Sequence, residues 1–195
     1  MTQPNERAGG ERIVLHVGCG PYKPEKLHSV FRKEGWRELR LDINADVKPD
    51  IVASMLSMPM VQEGSVDAVW SSHNIEHLYA HEVGVALAEF QRVLKPGGFA
   101  LITLPDLQAV AELVAADKLE DTAYVSPAGP IAPLDMIFGH GASIARGNTF
   151  MAHNTGFTAR TLAKALARAG FVRIDVKRGK SYDLWAVGYK PAPAP

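Results

Sequence analysis

Three groups of residues in this chain have the types and spacing that chemistry requires. The first is Gly18-Cys19-Gly20, which follows the apolar run Ile13-Val14-Leu15-His16-Val17, with Asp42 closing the next run, Leu39-Arg40-Leu41. Glycines let a backbone approach a ligand closely, and a carboxylate about twenty residues further on can accept hydrogen bonds from both hydroxyls of a ribose. The nicotinamide-dinucleotide fingerprint needs a third glycine where this chain has Lys23, so that reading fails. The second group, His73-Asn74-Ile75-Glu76-His77, spells the H-x-x-E-H pattern of inverted zinc peptidases. On a helix, His73 and His77 would share a face, which makes a zinc-dependent hydrolase the alternative to a cofactor enzyme. The third group is His153 and His140, in a stretch rich in proline and glycine. Histidine titrates near neutral pH, so these two are the candidates for a catalytic acid–base group, His153 first.

The elements that would position these residues alternate along the chain. Strands are expected at residues 13–17, 39–41, 51–53, 66–70 and 99–104, the last after the helix stop Lys95-Pro96-Gly97-Gly98. Leu27, Val30 and Phe31 recur at helical spacing after the glycine turn. Val83, Ala86, Leu87, Phe90, Val93 and Leu94 make one apolar helix face. A helix over 107–118 follows, then one capped by Thr158 with Leu162, Ala165, Leu166 and Ala169 inward and Gly170 as its stop. Residues 172–176 and 184–189 read as a closing antiparallel hairpin. Strands alternating with helices predict a mostly parallel sheet covered on both faces. Residues 119–157 show no sustained period and are expected to be a substrate-covering insertion. The domain is thus drawn over residues 11–190, between a flexible tail at 1–10 and a Pro/Ala tail at 191–195.

Composition narrows the classes. With 21 Lys plus Arg against 21 Asp plus Glu in 195 residues, the chain has no net attraction for a polyanion, so no nucleic-acid partner is expected. Its aliphatic runs are strand-length and its start is polar, which predicts no membrane partner and a cytoplasmic location. The one cysteine, Cys19, cannot form an intrachain disulfide.

Resemblance adds to these readings. Val14-Leu15-His16-Val17-Gly18-Cys19-Gly20 resembles the first motif of class I S-adenosylmethionine-dependent methyltransferases. Residues 64–78 resemble their fourth-strand motif, and Arg92-Val93-Leu94-Lys95-Pro96-Gly97-Gly98 the turn before their fifth strand. The order and spacing fit a small bacterial methyltransferase of the type 11 kind. The resemblance implies a Rossmann-like, doubly wound, mostly parallel seven-stranded α/β sheet with an antiparallel C-terminal hairpin. It implies S-adenosylmethionine as cofactor, with Gly18, Cys19 and Gly20 against its methionine part and Asp42 on the ribose. Ile43 would lie against the adenine, Met55 and Leu56 on its other side, and Ser54 near its amino edge. Ser72 and His73 would border the reacting methyl. His16, Tyr22 and Ser54 stand where the family usually has an acid, a third glycine and a third-strand acid, which leaves weaker or less selective cofactor binding open.

Base methylation is not expected. The place of the Asp/Asn-Pro-Pro-aromatic run of base-amine enzymes holds Ser71-Ser72-His73-Asn74, and Cys19 sits in the glycine turn rather than beyond strand four. The expected reaction is methyl transfer to an oxygen or nitrogen of a small molecule or glycan. The other reading is a non-catalytic cofactor-fold partner protein, and a homodimer stays open.

Overall fold

A computed structural model describes residues 11–193. The tail expected at 1–10 and residues 194–195 of the C-terminal tail lie outside the described residues. Five strands alternate with turns and helices: β1 (Arg12–Val17), β2 (Trp36–Asp42), β3 (Ile51–Val52), β4 (Val66–Ser72) and β5 (Leu94–Pro105). Helix α1 (Val83–Val93) links β4 to β5, and α2 (Leu107–Ala115) follows β5. Within the insertion lie a small hairpin, β6 (Tyr124–Ser126) and β7 (Gly129–Ile131), and two short helices, α3 (Pro133–Phe138) and α4 (Gly141–Ala145). Helix α5 (Ala159–Arg168) leads into the closing hairpin of β8 (Val172–Arg178) and β9 (Asp183–Tyr189).

Seven strands form one sheet in the order β3-β2-β1-β4-β5-β9-β8. β1 to β5 are parallel, while β9 runs antiparallel to both β5 and β8. The expected sheet and hairpin are therefore present. The strand order reverses between β1 and β4, so the connections leaving their carboxyl ends run in opposite directions and open a crevice, the usual ligand position in such sheets. β1 and β4 are central because their residues are apolar on both faces: Val14, Leu15, Val17, Ala68 and Val69 are all buried.

One face packs on α1 and α5. Val83, Ala86, Leu87, Phe90 and Val93 of α1 are all buried there, as the sequence spacing requires, beside Leu162 and Leu166 of α5. Thr158 caps α5 by accepting from Thr161 N. The other face differs from expectation. Leu27 follows one 3-10 turn, Pro24–Lys26, and Val30 and Phe31 belong to a second, Ser29–Arg32, so the glycine turn leads into no α-helix. These turns bury Leu27 and Phe31 against Val14, Ala68 and Trp70, with Trp36, Phe99 and Trp185 alongside. A small aromatic layer thus stands where a helix was expected. The boundaries shift elsewhere too. β5 starts at Leu94, α2 ends at Ala115, and the insertion is built from short elements rather than bare loop. No helix among the described residues is long and apolar enough to cross a membrane.

Candidate functional site

The glycine turn sits at the end of β1, where the crevice opens. Gly18 (φ +61°) and Gly20 (φ +60°) both lie in the left-handed region, which glycine enters without a Cβ penalty. At Gly18 there is a second reason: a Cβ would collide with the Asn74 side chain. Asn74 is buried and donates from Nδ2 to Val17 O (2.7 Å) and Ser72 O (3.2 Å), clamping the end of β1 to the end of β4. Asp42, at the end of β2, holds the same turn. Its Oδ2 accepts from Gly20 N (2.8 Å) and its Oδ1 from Asn44 N (2.9 Å). An ionised carboxylate has about four acceptor positions, so two remain for a ligand's hydroxyls.

Below this turn lies a cleft of about 480 Å³, inside the roughly 300–1,000 Å³ range of small-molecule sites. Of the residues expected to bind cofactor, Gly18, Gly20, Asp42, Ile43, Ser54, Met55, Ser72 and His73 line it. Cys19 and Leu56 do not. Cys19 turns to a second cavity of about 420 Å³ on the far side of the glycine turn, among Lys26, His28, Trp70 and Trp185. Burial pushes the Cys19 thiol up to about 11, against the opposing pull of Arg40, so it is a neutral packing group.

The cleft combines surfaces that suit a nucleoside joined to an amino acid. Ile43 is 53% exposed and Phe150 is 61% exposed, and both line the cleft, so apolar area is offered to a ligand. Lys26 reaches over Gly20, with its pKa lowered by burial and then by Lys23. It puts a cation near the cleft's glycine end. The donor set therefore fits the group that the motifs imply: carboxylate for ribose, apolar walls for a base, and an ammonium at the amino-acid end.

Sequence reasoning missed several lining residues. Lys26 carries no motif, Asn74 lies in the fourth-strand motif without an assigned role, and Phe150, Met151 and Asn154 come from the insertion, which was expected to cover only the acceptor. The insertion is fastened to the end of β4 by main-chain bonds. Asn154 N and Thr155 N donate to Glu76 O (2.9 and 3.1 Å), and Asn154 Nδ2 donates to His77 O (2.7 Å).

The H-x-x-E-H pattern is not on an α-helix. His73 has φ +52°, and only Ile75–His77 makes a single 3-10 turn. The shared helix face that a zinc peptidase requires is therefore absent. Instead Glu76 is 1% exposed and surrounded by His73, His77 and His153, with His73 Nδ1 3.3 Å from Glu76 Oε1. Burial works against the Glu76 charge, but His73 and then His77 and His153 hold its carboxyl below the usual range. For His73 burial also opposes the charge, and Glu76 and Asp183 outweigh it, raising its pKa. Burial lowers that of His153, with Glu76 opposing.

His153 and Glu76 line a small, mainly apolar cavity of about 200 Å³ with Leu107, Met136, Ile137 and Phe138. His140 lines none of the three cavities; its Nδ1 meets Ser143 Oγ at 2.7 Å. His16, at the family's acidic position, is buried on the opposite sheet face, where its Nδ1 meets Glu38 Oε1 at 2.6 Å.

Comparison with known proteins gives this arrangement a family. The family described as "Methyltransferase domain" matches residues 15–102, which run from β1 to β5. No protein of curated function matches the sequence. Among solved structures, the fold is similar to the 1,6-didemethyltoxoflavin-N1-methyltransferase of Burkholderia thailandensis. The TM-score is 0.59 at 16% identity, over 94% of this chain and 72% of that one. That protein was solved with 1,6-didemethyltoxoflavin and S-adenosylhomocysteine bound. A SAM-dependent methyltransferase of Archaeoglobus fulgidus aligns with TM-score 0.60 at 17% identity, over 93% and 87% of the two chains. Another, from Methanosarcina mazei, aligns with TM-score 0.61 at 18% identity, over 94% of each. These identities speak for the fold, and the family match speaks for the β1–β5 motifs. Residues 15–102, from β1 to β5, thus match the methyltransferase-domain family, and the fold of the whole described chain is that of the S-adenosylmethionine-dependent methyltransferases it is similar to.

Proposed function

We propose that the protein transfers a methyl group from S-adenosylmethionine, held in the cleft beneath the glycine turn, to an oxygen or nitrogen of a small molecule or glycan. The observation that carries this reading is the convergence of Gly18, Gly20, Asp42, Ile43, Met55 and Ser72 on one cleft at the sheet's switch point. Bound there, the cofactor supplies an activated methyl on a sulfonium. The chain's own work is to bind and align. Asp42 accepts from the ribose hydroxyls, Ile43 and Met55 flank the base, and Ser72 and His73 border the methionine end.

The acceptor enters the small cavity beside Glu76 and His153, whose mainly apolar lining excludes water. Its size favours a compact reacting group, with the rest of the acceptor outside. His153 is the proton-handling candidate, since burial favours its neutral form and Nδ1–H donates to Met136 O (2.9 Å), which leaves Nε2 as acceptor.

The reading is tested by incubating the protein with methyl-labelled cofactor and fractionated cell extract, then identifying the labelled product. Label on an ether, ester or amine of a small molecule or glycan is the expected result. Label confined to nucleic acid would contradict it.

A further inference from the structure

Glu76 poses a problem of charge. Among the described residues it is the buried carboxylate whose two oxygens both lack a hydrogen-bond donor. A carboxylate removed from water needs donors or a counter-charge. His73 Nδ1 stands 3.3 Å from Oε1 as a counter-charge, while on the other side His77 and His153 bring ring lone pairs toward the carboxylate. One ring nitrogen each of His77 and His153 and one Glu76 oxygen lie within 4.8 Å of one another. His153 Nδ1 is spent on Met136 O, so in the neutral ring the lone pair is on Nε2. His77 has Nδ1 3.0 Å from Ala152 O and Nε2 3.1 Å from His73 O. A neutral ring carries one N–H, so one of these contacts sets a lone pair against a carbonyl oxygen. With both rings neutral, Glu76, His77 and His153 hold more lone pairs than N–H groups.

We propose that Glu76, His77 and His153 bind a divalent transition-metal cation, with a coordination position left open for an acceptor hydroxyl. Ligand atoms about 2.0–2.2 Å from a shared ion stand roughly 3.5 Å apart in a tetrahedron, so the separations within the cluster close by about 1.3 Å at most. Two imidazoles and one carboxylate suit zinc, manganese, iron or cobalt better than magnesium or calcium. Three protein ligands leave a fourth position free, as metal sites that act on substrates require. The carbonyls of Met136 and Ala152 fix the rings from behind, the second partner that metal-binding histidines generally have. The Asn154 and Thr155 bonds to the Glu76 turn hold the two donor segments together independently of any ion.

The site stands in the wall between two cavities. His77 lines the large cleft, and Glu76 and His153 line the small one. A cation there takes the Nε2 lone pair of His153, so with the ion bound the activation of the acceptor passes from that ring to the ion. The ion lowers the pKa of a bound hydroxyl, which narrows the acceptor class to hydroxyl-bearing small molecules or sugars. That narrowing rests on the methyl-transfer reading; the ion site itself does not.

The test is a Co²⁺ titration of the chelator-treated full-length protein, followed by visible d–d absorption, with S-adenosylhomocysteine calorimetry on the same samples. Expected is one Co²⁺ per chain, with affinity reduced at least about tenfold by Glu76→Gln and by His153→Ala. His81→Ala, outside the cluster, keeps wild-type affinity. Circular dichroism checks folding, and His153→Ala carries the test if Glu76→Gln fails to fold. No Co²⁺ uptake by the wild type, or uptake that neither cluster substitution weakens, overturns the ion site. If S-adenosylhomocysteine still binds in that case, the methyl-transfer reading stands. If it does not bind, that reading falls whatever the cobalt shows.

Discussion

At the residue scale, the glycine turn is shaped by the protein's own packing as much as by a ligand. Gly18 needs a left-handed backbone, and it also makes room for Asn74, whose amide ties Val17 to Ser72. Gly18→Ala strains the backbone by about 1 kcal/mol and displaces Asn74 from its 2.7 Å bond to Val17 O, about another 1 kcal/mol or more. We expect a loss of about 2–3 kcal/mol in urea unfolding. In an Asn74→Ala background the same substitution should cost only the backbone part. A double-mutant cycle with additive losses would show that the two residues do not meet as described. Asn74 was not legible as a structural clamp, because its partner Val17 is 57 residues away in sequence. Asp42 was legible, since a carboxylate at the end of the second strand has a motif position. Its bonds to Gly20 N and Asn44 N were not.

At the element scale, legibility followed length. Helix α1 shows five buried apolar residues at helical spacing over 11 residues, enough for the pattern to stand out. In the insertion, β6 and β7 have three residues each, α3 six and α4 five, and no period registers over so few. Leu27, Val30 and Phe31 misled for a different reason. Their spacing is helical, but Leu27 closes one 3-10 turn, which has Pro24 at its start, and Val30 and Phe31 lie in a second. The long connection between β3 and β4 contains no helix either and is held instead by α1. Arg92 donates to Met58 O (2.9 Å), Val61 O (3.0 Å) and Glu89, while Glu89 accepts from Met58 N (2.8 Å). The Arg92 hydrogen bond, helped by Met58 N against some desolvation, holds the Glu89 carboxyl below its usual range. A depressed carboxylate contributes stability above its unfolded pKa and loses it as pH falls through the folded value. Glu89→Gln should therefore cost about 1 kcal/mol near pH 7, discounted for partial exposure, with the gap closing as pH falls below about 4. A gap that stays constant from pH 7 to pH 3 in urea unfolding would contradict the link.

For the whole molecule, the account joins a parallel sheet, one helical face, one aromatic face under short turns, and an insertion bonded to the end of β4. The motifs in β1, β4 and β5 made the sheet and most of the cofactor cleft readable. The acceptor side was readable only as isolated histidines, because His153 meets Glu76 through a chain path of 77 residues. The central claim is that the cleft binds the cofactor through Asp42, and it is tested most directly by calorimetric titration with S-adenosylhomocysteine. The account predicts one site per chain. It also predicts that folded Asp42→Ala binds more weakly by roughly 1.5–3 kcal/mol, about one to two decades in dissociation constant. No binding by the wild type, or unchanged affinity in a folded Asp42→Ala, would contradict it.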